Sequence, residues 1–281
     1  MTPTYKVSGA GLGLRRTHMS SLRSEIPTGL DFLEAAPENW IGVGGRLGHA
    51  FKDIASQLPL VCHGLLLNLG GPDPLDWAFL KRLKQFLHDH NAVIYGDHLT
   101  FCASHGHLYE LLPIPFTEEA ITHVAGRIRE VQDFLGQQIA VENASYYLKL
   151  SNEIDELDFI RAVIEEADCG LLLDVNNIYV NSVNHNYDPE TFLTQLPGER
   201  IAYAHIAGHA HDDLDLVVDT HGADVIERVW QLLEVAYREF GVFPTLLERD
   251  LNIPELPDIL PEVEKIKHIQ QQAAHKRYVA A

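Results

Sequence analysis

Sixteen His stand in a chain of 281 residues that holds only 3 Cys and 2 Met. Imidazole is the commonest protein ligand for metals and exchanges protons near neutral pH. A set rich in His and carboxylate and poor in thiolate suits a hard or borderline cation bound through N and O atoms. Position matters more than number. In chain order, short apolar runs end in metal-competent side chains: Glu34 followed by Glu38 and Asn39, His63, Asp97 with His98, Glu142 with Asn143, Asp174 with Asn176 and Asn177, His205 with His209, and Glu248 with Asp250. On an extended strand, residues i, i+2 and i+4 share a face. His205 and His209 in HIAGH are therefore expected to point the same way if the strand continues, and Asp219 and His221 in VVDTH make an i, i+2 pair if their loop stays extended.

Each residue alone has a plainer reading. His63 or His98 would be a hydrogen-bonded core histidine, and Asp174 the N-cap of the next helix. As a converging set the acids would repel one another and lose hydration, and bound cations reconcile them. The set exceeds what one ion needs, so two or more ions are expected, with carboxylates such as Glu142 able to bridge. No Cys belongs to it, which disfavours structural zinc and leaves catalytic Zn, Mn, Fe or Mg. His88, His90, His105, His107 and His123 fall on helices or polar loops and read as surface residues.

Collecting strand ends at one place is what a (β/α)8 barrel does. Eight short runs read as parallel strands: Gly9–Leu14, Asp31–Ala35, Leu60–Gly64, Val93–Leu99, Ile139–Asn143, Leu171–Asn176, Ile201–Gly208 and Pro244–Asp250. Helical spacing marks Asp76–His90, Thr117–Leu135, Glu153–Ala167, Ala223–Phe240 and Glu255–Gln272. Thr117 can cap its helix, although Ala120 stands where a capping box needs Glu or Gln, and Gly136 is a stop signal. The expectation is one TIM-barrel domain over residues 1–281, with its metal site at the C-terminal face of the strands and a frayed tail over 271–281. A doubly wound sheet is the alternative. GAGLGL lacks a following helix signal, so a packed first strand suits it better than a nucleotide loop.

A formal charge of −19 disfavours nucleic acid and anionic membrane as partners. No run approaches the length of a membrane span, the N-terminal segment lacks an apolar signal core, and three unpaired Cys suit a reducing compartment. A cytoplasmic protein is expected. Cys62 and Cys169 lie in or beside buried strands and read as packing.

The motifs FLEAAPENW, HGLLLNLGG, GDHL, ELLPIPFT and VENASYYL, with LLLDVNNIYVNSVNHNYDP, HIAGH, VVDTHG, LLERD and IPEL, resemble the multinuclear non-heme iron-dependent oxidases, the family of the methanobactin-biosynthesis oxidase. The resemblance runs from about Gly9 to Glu264. It implies a TIM barrel, two or three irons in mixed ferrous and ferric states, dioxygen as co-substrate, and oxidation of Cys residues in a ribosomally synthesised precursor peptide that a small partner protein delivers. It also implies roles by motif: His63 and His98 on one iron, Glu142 bridging, Asp174, His205 and Glu248 on the adjacent iron, and Asn177, His209, Asp219 and His221 on a third. Asn143 and Asn176 would orient ligands, as would Asp97, and Asp250 or Asp97 would serve as a base. The chain departs from the usual motifs at Asn68, where Ser is common, in ENASYY, and at Arg249, where an aromatic is frequent.

Two other functions fit a divalent metal at a barrel mouth. One is a sugar isomerase, epimerase or phosphoesterase. The other is a metal-carrying, non-catalytic partner in a maturation complex.

Overall fold

The computed structural model describes residues 6–148, 153–212 and 216–280. Eight strands close a barrel: β1 (Ala10–Gly13), β2 (Phe32–Ala35), β3 (Leu60–Gly64), β4 (Ile94–His98), β5 (Ala140–Glu142), β6 (Gly170–Asp174), β7 (Ile201–Ile206) and β8 (Thr245–Leu247). Every neighbouring pair is parallel, and β1 pairs with β8 to close the ring. Helices α1 (Met19–Ser24), α2 (Gly45–Ala55), α3 (Trp77–Asp89), α4 (Glu118–Leu135), α5 (Glu156–Ala167), α6 (Val175–His185), α7 (Pro189–Thr194), α8 (Glu227–Phe240) and α9 (Leu256–Ala280) lie between or after the strands. The α4 ends follow the sequence: the Thr117 side chain accepts from the Ala120 amide, and Gly136 adopts φ 79°. The segment 271–280, where a frayed tail is expected, continues α9.

The period-2 geometry of a strand sorts the core into two parts. Outward residues such as Leu12, Leu33, Cys62, Tyr95, Val141, Leu173 and Leu247 pack against the helices. Inward residues Phe32, Val61, Ile94, Ala140, Leu172, Tyr203 and Leu246 form a separate apolar layer inside the barrel, with Val7 at its base. Two glycines make room within it. A Cβ on Gly11 would stand 2.5 Å from the Phe32 ring, and one on Gly96 would stand 3.1 Å from Leu172 Cδ1 and 3.5 Å from His63 Nδ1.

The structure corrects the C-terminal extent of three runs; Pro244–Asp250 is strand only to Leu247. Leu171–Asn176 is strand only to Asp174, because Asp174 Oδ1 accepts from the Asn177 amide at 2.6 Å and starts α6 there. Ile201–Gly208 leaves the strand at Ile206. Two hairpins decorate the C-terminal face, Phe101–Ala103 with His107–Leu112 and Ala210–His211 with Val217–Val218. No helix among the described residues is long and apolar enough to cross a membrane.

Candidate metal centre

One pleat above the apolar layer, the same inward positions turn polar. Phe32 is followed two residues on by Glu34, Val61 by His63, Ala140 by Glu142, Leu172 by Asp174, Tyr203 by His205 and Leu246 by Glu248. On β4, Ile94 and Gly96 are followed by His98. Seven strands thus deliver seven metal-competent side chains to one level, as the strand-end pattern predicts.

These groups meet closely. His63 Nε2 lies 2.8 Å and His98 Nε2 3.3 Å from Glu142 Oε2. His205, wholly buried, places Nε2 2.9 Å from Glu34 Oε2 and Nδ1 3.0 Å from Glu248 Oε2. His221 Nδ1 is 3.4 Å from the same Glu248 oxygen. Three sets of ligand atoms each fall within 4.8 Å: His63, Glu142 and His205; Glu34, His205 and Glu248; Asp174, His221 and Glu248. The grouping differs from the one the motifs imply, since His221 joins Asp174 and Glu248, and Glu34 enters beside His205.

Glu142 Oε2, Asp174 Oδ2, Asn177 Oδ1, His63 Nδ1, His205 Nδ1, His209 Nε2 and His221 Nε2 are buried without a hydrogen-bond partner. Several have a nitrogen or oxygen within 3.0 Å, so these approaches are short but poorly aligned for hydrogen bonds. A buried polar group left unpaired costs about 1–3 kcal/mol. Lone pairs that crowd together without bonding one another suit a shared cation, and the N and O donor set fits iron, manganese or zinc.

The electrostatics carry the same strain. Burial lowers the His63 imidazole, but the adjoining Glu142 carboxylate overcomes this and lifts it to about 9. Burial and the neighbouring His63 push His98 down to about 4. Burial and the charges of Glu142 and Asp219 drive Asp174 well above the usual carboxylate range.

The loops add a second tier. His209 Nδ1 meets Asn176 Oδ1 at 2.7 Å, Asn176 Nδ2 donates to Asp219 Oδ1 at 2.7 Å, and that oxygen lies 2.6 Å from His221 Nε2. His209 reaches this chain of contacts from a loop past the end of β7, not from a continuing strand. His221 adopts φ 47°, so a turn, not an extended loop, brings it to Asp219. Asn177 Nδ2 donates to Glu142 Oε1 at 3.2 Å. Asn143 grips the end of β6, donating to the Asp174 carbonyl and accepting from the Asp174 amide, both at 2.9 Å.

The two carboxylates expected as bases differ. Asp97 is buried, with Oδ2 accepting from Tyr95 Oη at 2.9 Å and Oδ1 from the His98 amide at 2.8 Å. Burial and Glu38 lift it to about 7. Asp250 is 44% exposed at the rim, with Oδ2 3.4 Å from His221 Nδ1. Asn68, at φ 51°, clamps the Phe101–Ala103 strand by accepting from the Cys102 and Ala103 amides. Arg249 turns outward to Asp224 and Glu262.

Sequence reasoning places Glu34 at a strand end but leaves it out of the ligand set. Its i+2 relation to Phe32 is the available signal. Tyr203 and Arg15 also escape it: Tyr203 Oη donates to Glu34 Oε2 at 2.6 Å, and Arg15 pairs with Glu248 and Asp250.

Solved structures share the fold. Mannonate dehydratase from Streptococcus suis aligns with a TM-score of 0.64 at 10% identity, over 98% of this chain and 95% of that one. D-psicose 3-epimerase from Clostridium cellulolyticum gives 0.60 at 14% identity, over 97% and 99%. Endonuclease IV from Thermus thermophilus gives 0.58 at 13%, over 95% and 99%. Sequence relatives are much nearer. A UPF0276 protein of Alcanivorax borkumensis is 55% identical over 94% of this chain and 92% of its own length. Another, from Shewanella loihica, is 52% identical over 96% and 98%. The family profile described as RiPP precursor modification enzyme MbnB/TglH/ChrH matches residues 9–271, and by that match the chain belongs to this family of peptide-modifying enzymes.

Proposed function

We propose that the protein is a multinuclear iron oxidase that uses dioxygen to modify Cys residues of a ribosomally synthesised precursor peptide, brought to it by a small partner protein. The observation that carries the reading is the ring of buried, unpaired N and O atoms at the C-terminal end of the barrel. Family membership supplies the substrate class.

His63, His98 and Glu142 would hold one iron, while Asp174, His205, Glu248 and His221, with Glu34 beside His205, would hold the adjacent part of the centre. Asn177, His209 and Asp219 would complete a third position, and Asn143 and Asn176 would orient their neighbours. Bound iron would supply an open coordination position for the Cys thiolate and electrons for the reduction of dioxygen. The chain's own residues do the rest. The apolar layer below seals the centre from the far end of the barrel. Asp97, with both oxygens engaged, holds the β4 end in place. Asp250, open to the rim, is the better placed of the two acids to accept a proton from a peptide.

The test is anaerobic loading with ferrous iron, addition of the Cys-bearing peptide encoded beside the gene, and exposure to air. A mass change confined to Cys in the iron-loaded sample alone is expected. An unmodified peptide overturns the reading. Sugar turnover with manganese and without dioxygen would favour the isomerase or epimerase reading instead, and iron retained without any turnover would favour the carrier.

A further inference from the structure

The polar level has eight sectors and seven ligand-bearing strands. The eighth strand, β1, offers Gly13, two residues after the inward Gly11. Its sector is not empty: Arg15 Cζ and Nη2 lie 3.4 Å from where a Gly13 Cβ would stand. Where the β1–β8 ladder runs out at Leu12 and Leu247, Arg15 crosses the same seam with its side chain. Nε donates to the Arg249 carbonyl at 2.9 Å, and Nη2 pairs with Asp250 Oδ1 and stands 3.6 Å from Glu248 Oε1. Three consecutive residues of the strand end are thereby held by one guanidinium. Among the described residues, Arg15 is the one Lys or Arg in contact with this level.

We propose that Arg15 is a positioning residue of the metal centre. It engages the outer oxygen of Glu248, which leaves Oε2 turned inward, 3.0 Å from His205 Nδ1 and 3.4 Å from His221 Nδ1. It holds Asp250 in the same way, with Oδ1 on the guanidinium and Oδ2 facing His221. A fixed planar fork suits this task better than an ammonium, because it offers several donors in one geometry. The effect is local to the Glu248 side. No ion pair or hydrogen bond joins Arg15 to His63, His98 or Glu142.

The inference rests on the metal reading, and the experiment separates the two. Wild type, R15M, R15K, E248Q and the R15M/E248Q pair are titrated anaerobically with cobalt(II), followed by calorimetry and by the visible absorption of the bound ion. R15M should lose about 10–100-fold in affinity for one equivalent, the scale usual for residues that orient ligands, and leave the others unchanged. R15K should recover part of the loss. In the E248Q background, R15M should cost less than in wild type, because the Glu248 carboxylate it orients is already gone while its contacts to Asp250 and the Arg249 carbonyl remain. Thermal melts of the metal-free variants establish that each is folded. If R15M binds every equivalent like wild type, or weakens binding equally with and without Glu248, the positioning role is wrong. If wild type binds no cobalt, the metal reading falls with it.

Discussion

Two layers inside the barrel are built from the same strands, one pleat apart. The lower one, Phe32, Val61, Ile94, Ala140, Leu172, Tyr203 and Leu246, is apolar and close-packed. The upper one, Glu34, His63, His98, Glu142, Asp174, His205 and Glu248, is ionisable, and several of its atoms lack hydrogen-bond partners. The lower layer gains its stability mainly from burial and packing, with one polar tie to the upper layer through the Tyr203 hydroxyl on Glu34. The upper layer costs stability in the metal-free chain, because desolvated carboxylates and imidazoles do not fully satisfy one another. On six strands the work of stability is separated from that of ligation by about two residues' rise, roughly 6–7 Å, and on β4, where Gly96 stands between Ile94 and His98, by twice that.

Substitutions in the two layers should therefore fail in opposite ways. The largest effect is expected from Asp174→Asn. It keeps the cap on α6 and removes a ligand, so peptide modification should fall by more than about 100-fold, while metal-free stability in denaturant titrations stays within about 1 kcal/mol. Equal losses in both measurements would erase the distinction. Next comes Leu172→Ala in the lower layer, expected to cost about 2–4 kcal/mol by the same titration. Its metal stoichiometry should remain that of wild type.

Added ferrous iron at a hundred times its dissociation constant should stabilise wild type and L172A alike, by about 2.7 kcal/mol per site, and D174N less. Gly96→Ala probes the boundary. The new methyl meets Leu172 Cδ1 below and His63 Nδ1 above, so a stability loss of about 1–3 kcal/mol should come with weaker metal binding. If only one property changes, the layers are less tightly joined than their spacing implies.

The smallest effect concerns an acid outside both layers. Burial pushes Glu156 up to about 7 against hydrogen bonds from Tyr146 and Asn181. The folded state then holds a proton that the unfolded chain releases near the ordinary Glu value. The resulting stability is complete below about pH 4.5 and declines as pH rises through 7. E156Q should flatten that slope, shrinking the melting-temperature difference between pH 5 and pH 8 by roughly 2–4 °C.

Much of this arrangement is legible in the chain. All eight barrel strands announce themselves as short apolar runs, seven of them with polar ends, and placing those ends at one face recovers most of the upper layer. What escapes is set by tertiary context. The α6 sequence VNNIYVNSVNH is rich in Asn and β-branched Val, weak helix formers, so the Asp174 cap merges visually with the strand before it. The short helices α1, α2 and α7 leave little periodicity to read. His209 and His221 reach the site through loop turns that no strand spacing encodes. Glu34 is recoverable by counting pleats from Phe32, whereas Arg15 fills a place that a glycine leaves open, which only three dimensions reveal.

The central claim is that the upper layer is a multinuclear metal centre. It is tested most directly by counting ferrous iron retained per chain after anaerobic loading and desalting, in wild type and in D174N. Wild type should retain about two or three irons per chain, as a ligand set of this size allows, and D174N at least one fewer. Retention of no iron by wild type, or the same number in both proteins, would contradict it.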